Sequence, residues 1–235
     1  MTKALVIILT LVMVFSCKHE PKVPPALIPV PEDNTTDTIR YLALGDSYTI
    51  GEAVSLTERW PVQLEHAIKS SLKDTVFLKI VARTGWTSDE LQAQLDLLNL
   101  PDTFDLVSVL IGVNNQFRGR LVSSFIPEFA ALIEEAIFYA QNDTDKVFVV
   151  SIPDYGYTPQ GQSNQPNISL GIDTYNAASD SVCLEYGVTY INITDISRSG
   201  LADASLVASD GLHPSGPQYS QWVSRIAPIV FNKIP

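Results

Sequence analysis

Tyr41-Leu42-Ala43-Leu44-Gly45-Asp46-Ser47-Tyr48-Thr49 joins an apolar run to a small polar turn that holds a serine. A run of this kind reads as a buried strand. A hydroxyl just past its carboxyl end stands where open parallel sheets build their sites, against a helix N-terminus. The stretch therefore predicts an α/β fold with a candidate nucleophile at Ser47. Working outward, similar β-branched runs recur at 39–44, 76–81, 106–111, 147–152 and 188–193, each short and bounded by turn residues. Between them lie apolar stripes at helical spacing: Leu64, Ile68 and Leu72; Leu91, Leu95 and Leu98; Phe125, Phe129, Leu132, Ile133 and Ile137; and Ile172, Tyr175, Val182 and Tyr186. Thr87 and Glu90 have capping-box spacing at the start of the second stripe. Alternating strands and helices imply right-handed crossovers and a parallel sheet covered on both faces, a three-layer α/β/α sandwich of five strands.

With 235 residues, 46% of them hydrophobic and 17% charged, the chain can bury one substantial core. Its formal charge of -11 and the absence of any Lys/Arg run argue against a nucleic-acid partner. The N-terminus reads as a targeting signal. Lys3 precedes an apolar run from Ala4 to Phe15, too short to span a bilayer, and Ser16-Cys17 follows. A small residue before a cysteine resembles the lipobox of bacterial lipoproteins. On that reading residues 1–16 are a signal peptide and Cys17 is the acylated first residue of an envelope-anchored protein, the alternative being plain secretion. Residues 17–38, with Pro21, Pro24, Pro25, Pro29 and Pro31, form an extended tether, and residues 39–235 the folded domain. Cys183, the only other cysteine, falls in a helical stripe and reads as a small core hydrophobe.

A serine hydroxyl needs a base within hydrogen-bond reach and a third group to orient that base. Of three histidines, His19 lies in the tether and His66 on a helix, where a partly exposed surface role is expected. His213 alone has a carboxylate three residues earlier in a turn, within Asp210-Gly211-Leu212-His213-Pro214. Acyl transfer further needs donors for an oxyanion. The second strand run leads into Thr84-Gly85-Trp86 and the third into Gly112-Val113-Asn114-Asn115. A Gly85 N–H can approach a substrate closely, and the Asn114 amide adds a donor; both glycines also suit ordinary βα turns. No cofactor or metal is expected, because no His/Cys set has zinc-ligand spacing.

Taken together and in this order, Gly45-Asp46-Ser47, Gly85, Gly112-Val113-Asn114 and Asp210-Gly211-Leu212-His213 resemble the conserved blocks of the SGNH or GDSL hydrolases, over nearly all of residues 39–235. The resemblance implies a serine esterase: Ser47 as nucleophile, His213 as general base and then acid, Asp210 as its orienting carboxylate. It implies an oxyanion hole from the Ser47 N–H, the Gly85 N–H and the Asn114 amide, and a sheet in flavodoxin-like order. Asn115 stands where the family usually has aspartate, which removes a charge. Ser215-Gly216-Pro217 replaces the usual Asn and Gly after His213-Pro214, a change that bears on the start of the last helix. Glu58-Arg59-Trp60-Pro61 and Phe117-Arg118-Gly119 are similar to the thioesterase and lysophospholipase-like arylesterase branch, with Trp60 and Phe117 either packing residues or acyl-chain contacts. The expected substrate is a small or medium acyl ester. An acetylated polysaccharide is the alternative, and a non-catalytic envelope binding lipoprotein the alternative of another class. Residues 153–166 follow the fourth strand and are expected to overhang the site, where their Tyr and Gln side chains either bind sugar or solvate a loop.

Overall fold

The computed structural model describes residues 38–72, 75–98 and 100–234. The expected signal peptide, Cys17 and the tether as far as residue 37 lie outside the described residues. Five parallel strands, β1 (Thr38–Gly45), β2 (Thr75–Ala82), β3 (Leu106–Leu110), β4 (Val147–Val150) and β5 (Thr189–Ile191), form one sheet in the order β2-β1-β3-β4-β5. This is the flavodoxin-like order, with β1 and β3 meeting where the winding reverses. Both strands are covered on both faces, so Tyr41 to Leu44 and all of β3 are buried. The one polar residue of β3, Ser108, pairs its hydroxyl with that of Tyr41 at 2.9 Å and is satisfied in the core.

The principal helices are α2 (Trp60–Leu72), α3 (Ser88–Leu97), α5 (Val122–Tyr139), α6 (Gln165–Tyr186) and α8 (Gly216–Val230). Short helices α1 (Ser47–Ile50), α4 (Val113–Phe117) and α7 (Thr194–Ser197) sit after strand ends. α2 packs on α8, while α3 packs on α5 and α5 on α6, which gives the two outer layers. The predicted stripes face inward: Leu64 and Ile68, Leu91 and Leu95, and Phe125, Phe129, Leu132 and Ile133 are all buried. α3 begins with the Thr87/Glu90 capping box. Strand ends are where the periodicity overreaches. β4 stops at Val150 because the side chain of Asn176 on α6 takes over the Ile152 N–H at 2.8 Å. β5 stops at Ile191, and the Ser151 hydroxyl accepts from the Ile193 N–H at 2.8 Å. After a last backbone bond from the Ser151 N–H to the Ile191 carbonyl at 3.0 Å, side-chain acceptors replace the ladder.

Candidate active site

Gly45 ends β1 against β3 so closely that a Cβ there would lie 2.4 Å from the Leu110 carbonyl oxygen. The chain then turns sharply into α1. Asp46 caps that helix, its Oδ1 accepting from the Tyr48 N–H at 3.0 Å. Ser47, the first helical residue, is 5% exposed. Its N–H belongs to the first turn, which has no intrahelical acceptor. Asp46 is fully buried and its Oδ2 has no partner among the described residues, so burial pushes the carboxyl up to about 7.

Asp210 and His213 are assembled within one turn. Oδ1 of Asp210 accepts from the backbone N–H groups of Leu212 and His213, both at 3.0 Å, and Oδ2 meets His213 Nδ1 at 2.6 Å. A carboxylate only accepts, so Nδ1 carries a proton, and in the neutral imidazole the lone pair is on Nε2. Burial alone would raise the Asp210 carboxyl, but the His213 side chain and the two N–H groups outweigh it and hold it below the usual value. The imidazole also packs edge-on against Tyr48, 5.7 Å between ring centroids. The Tyr219 hydroxyl of α8 donates to the Tyr48 carbonyl at 3.0 Å, joining the C-terminal helix to the serine turn.

Ser47, Gly85, Asn114 and His213 line one cavity of about 170 Å³, with Phe117 and Tyr155 as further walls. Gly85 has φ +89, in the left-handed region where side chains are strained. The Asn114 Nδ2 donates to the Trp86 carbonyl at 2.9 Å, which fixes which end of the amide faces the β2 loop and leaves the second N–H hydrogen free. Arg118 clamps the same loop, donating to the Gly85 carbonyl at 2.7 Å. The sequence-selected residues therefore converge from the ends of β1, β2 and β3 and from the loop after β5. They form a site with a hydroxyl, an oriented imidazole and several N–H donors, a set suited to acyl transfer.

Other candidates separate clearly. His66 is exposed on α2, away from this cavity. Trp60 is wholly buried, edge-on to Phe148, and is a packing residue; Phe117 is 71% exposed and stands edge-on to Tyr155 on the cavity wall. The segment after β4 does overhang the site. It is held by Asp154, a buried carboxylate that pairs with Arg198 at 3.0 Å and accepts from Ser169 and the Gly156 N–H. Gln160 ties it to the Asp210 turn, its Nε2 donating to the Asp210 carbonyl at 2.6 Å. Tyr155 was not individually marked by the sequence; its one signal is membership of that segment. Ser215 caps α8 through the Gln218 N–H, so the last helix starts normally despite the altered motif. Cys183 is buried on α6, and burial pushes its thiol up to about 12.

Fold and pocket together define a three-layer α/β/α carboxylic ester hydrolase. The chain belongs to the GDSL-like Lipase/Acylhydrolase family, which it matches over residues 43–220. Among solved structures it is similar to TesA, with TM-score 0.66 and 16% identity over 83% of this chain and 99% of that one. A lipase/acylhydrolase from Enterococcus faecalis gives TM-score 0.66 and 20% identity, covering 84% and 97%. Axe2, an acetylxylan esterase from Geobacillus stearothermophilus, gives 0.63 and 15%, covering 82% and 94%. No curated protein sequence matches the chain.

Proposed function

We propose that the chain is a serine esterase for short to medium acyl esters, acting through an acyl-enzyme at Ser47. The observation that carries this reading is the Asp210–His213 bond, which leaves Nε2 as the free nitrogen of an imidazole on the wall it shares with Ser47, Gly85 and Asn114. Ser47 Oγ attacks the ester carbonyl and gives its proton to His213 Nε2. The carbonyl oxygen, now an oxyanion, accepts from the Ser47 N–H, the Gly85 N–H and the free Asn114 N–H. Collapse breaks the bond to the alcohol, which leaves with the proton from His213. Water then attacks the acyl carbonyl, His213 takes its proton, and Ser47 departs with that proton as the acid is released. A cavity of about 170 Å³ is smaller than the ~300–1,000 Å³ of drug-sized ligand sites, which favours a short acyl group. Ser47→Ala should abolish hydrolysis of 4-nitrophenyl acetate and butyrate and labelling by a fluorophosphonate, with the fold intact by circular dichroism. Turnover surviving that change would refute the assignment, and failure of the wild type to react with the probe would favour a binding role without catalysis.

A second reading has one specific observation behind it. Beyond Phe117 and Tyr155 lies a hollow of about 310 Å³ whose wall includes Gln116, Gln160, Ser163, Asn164 and Asn167 and, among the described residues, no charged side chain. Neutral amides and hydroxyls beside an exposed aromatic ring suit a glycan carrying the ester, and Axe2 acts on acetylated xylan. Acetate release from acetylated xylan, compared with a panel of acyl lengths, separates the two. For localisation the proposal is a lipid anchor at Cys17 in a bacterial envelope, supported by the sequence around that residue. Mass spectrometry of a membrane fraction should find a diacyl or triacyl Cys17; a soluble, unmodified N-terminus sinks it.

A further inference from the structure

The two loops that carry the proposed oxyanion donors share one carboxylate that comes from neither. Asn115, next to Asn114, is wholly buried. Its Oδ1 accepts from the Ser88 N–H at 3.0 Å; its Nδ2 donates to the Ser88 hydroxyl at 2.6 Å and to Glu128 Oε2 at 3.2 Å. The Ser88 hydroxyl donates in turn to the same Glu128 oxygen. Ser88 opens α3, three residues after Gly85, and Glu128 lies on α5. Arg120 Nη1 approaches that oxygen to 3.9 Å. An amide at 115 is thus required by its neighbour: it must accept on one end and donate to a carboxylate on the other. Aspartate there would set two carboxylates against each other, and one would have to hold a proton.

We propose that Glu128 is a positioning residue for oxyanion binding. Its carboxylate takes the place of the aspartate usual at position 115 and, through Ser88 and Asn115, holds the Gly85 and Asn114 loops at the spacing their donors need. The network holds one carboxylate and one amide, so it should accept the two in exchanged places. This rests on the oxyanion reading given above.

The test is a swap in the full chain, read with 4-nitrophenyl acetate. Glu128→Gln is expected to lower kcat about tenfold with KM within twofold, because a donor displaced from the oxyanion weakens the transition state more than the ground state. Asn115→Asp is expected to do the same. The double variant N115D/E128Q, with one carboxylate and one amide in exchanged places, should recover to within about threefold of wild type. Should Glu128→Gln not fold, Ser88→Ala removes the bridging hydroxyl alone and is expected to lower kcat severalfold at constant KM. Wild-type kcat in Glu128→Gln, or a double variant as slow as the product of the single effects, overturns the proposal. Those outcomes leave the esterase reading standing, whereas an inactive wild type removes the reading itself.

Discussion

Asp46, beside the serine, supplies a sharp prediction. Its carboxyl is fully buried with Oδ2 unpartnered among the described residues, and desolvation outweighs the bond from Tyr48 to raise it from 3.8 to about 7. The folded chain therefore keeps a proton there that the unfolded chain has already lost above pH 4. Because the fold binds the extra proton, stability from this group is fully present below pH 4, falls as pH rises towards 7, and levels off beyond. At up to 1.36 kcal/mol per pH unit, tapering as the group ionises near pH 7, the loss is about 2 kcal/mol between pH 5 and pH 7 and about 3 kcal/mol by pH 8. Asp46→Asn keeps the acceptor for the Tyr48 N–H and cannot ionise. Urea unfolding of both proteins at pH 5, 6, 7 and 8, followed by circular dichroism, should show the variant gaining about 3 kcal/mol on the wild type across that range. The carboxylates held below their usual values, Asp210, Asp89 and Asp195 among them, complete their ionisation below this window and cancel in the comparison. Parallel pH profiles for the two proteins would show that Asp46 is ionised in the fold and refute the reasoning.

Three further outcomes are expected. Asp210→Asn should lower kcat by about 10⁴-fold at little cost in KM, as expected when the orienting carboxylate of a serine–histidine pair is neutralised; steady-state kinetics above pH 6 reads it. Gly85→Ala meets no nearby atom closer than Arg118 Nη2 at 3.9 Å, so its cost is backbone strain at φ +89, about 1–2 kcal/mol, with a larger proportional loss in kcat; paired urea and kinetic measurements separate the two. Cys183, buried and with its thiol pushed up to about 12, should resist dithionitrobenzoate in the native protein and react only as fast as urea opens the fold.

The sheet was legible because parallel strands covered on both faces must be almost continuously apolar, as in Leu106–Leu110. Their ends were not, since Asn176 and Ser151 terminate the ladder from remote positions. Asp210 and His213 were legible for the opposite reason: they meet inside a single turn, so spacing alone exposes the contact. Trp60 and Phe117 look alike in sequence, each an aromatic beside a loop, and only packing sends one to the core and the other to the cavity wall. Glu128 carried no signal. It sits on a long amphipathic helix, 40 positions from Ser88, and reads there as one more solvated charge.

The bond between Tyr219 and Tyr48 spans 171 positions, so it can form only in a nearly complete chain. During synthesis the serine turn emerges early and the Asp210–His213 turn late. The helix that carries Tyr219 follows both in sequence; it packs on α2 and, through that hydroxyl, ties to the serine turn. A growing chain thus carries the proposed nucleophile through most of its synthesis before its proposed base exists, and the two can act together only once residues 210–213 have been made.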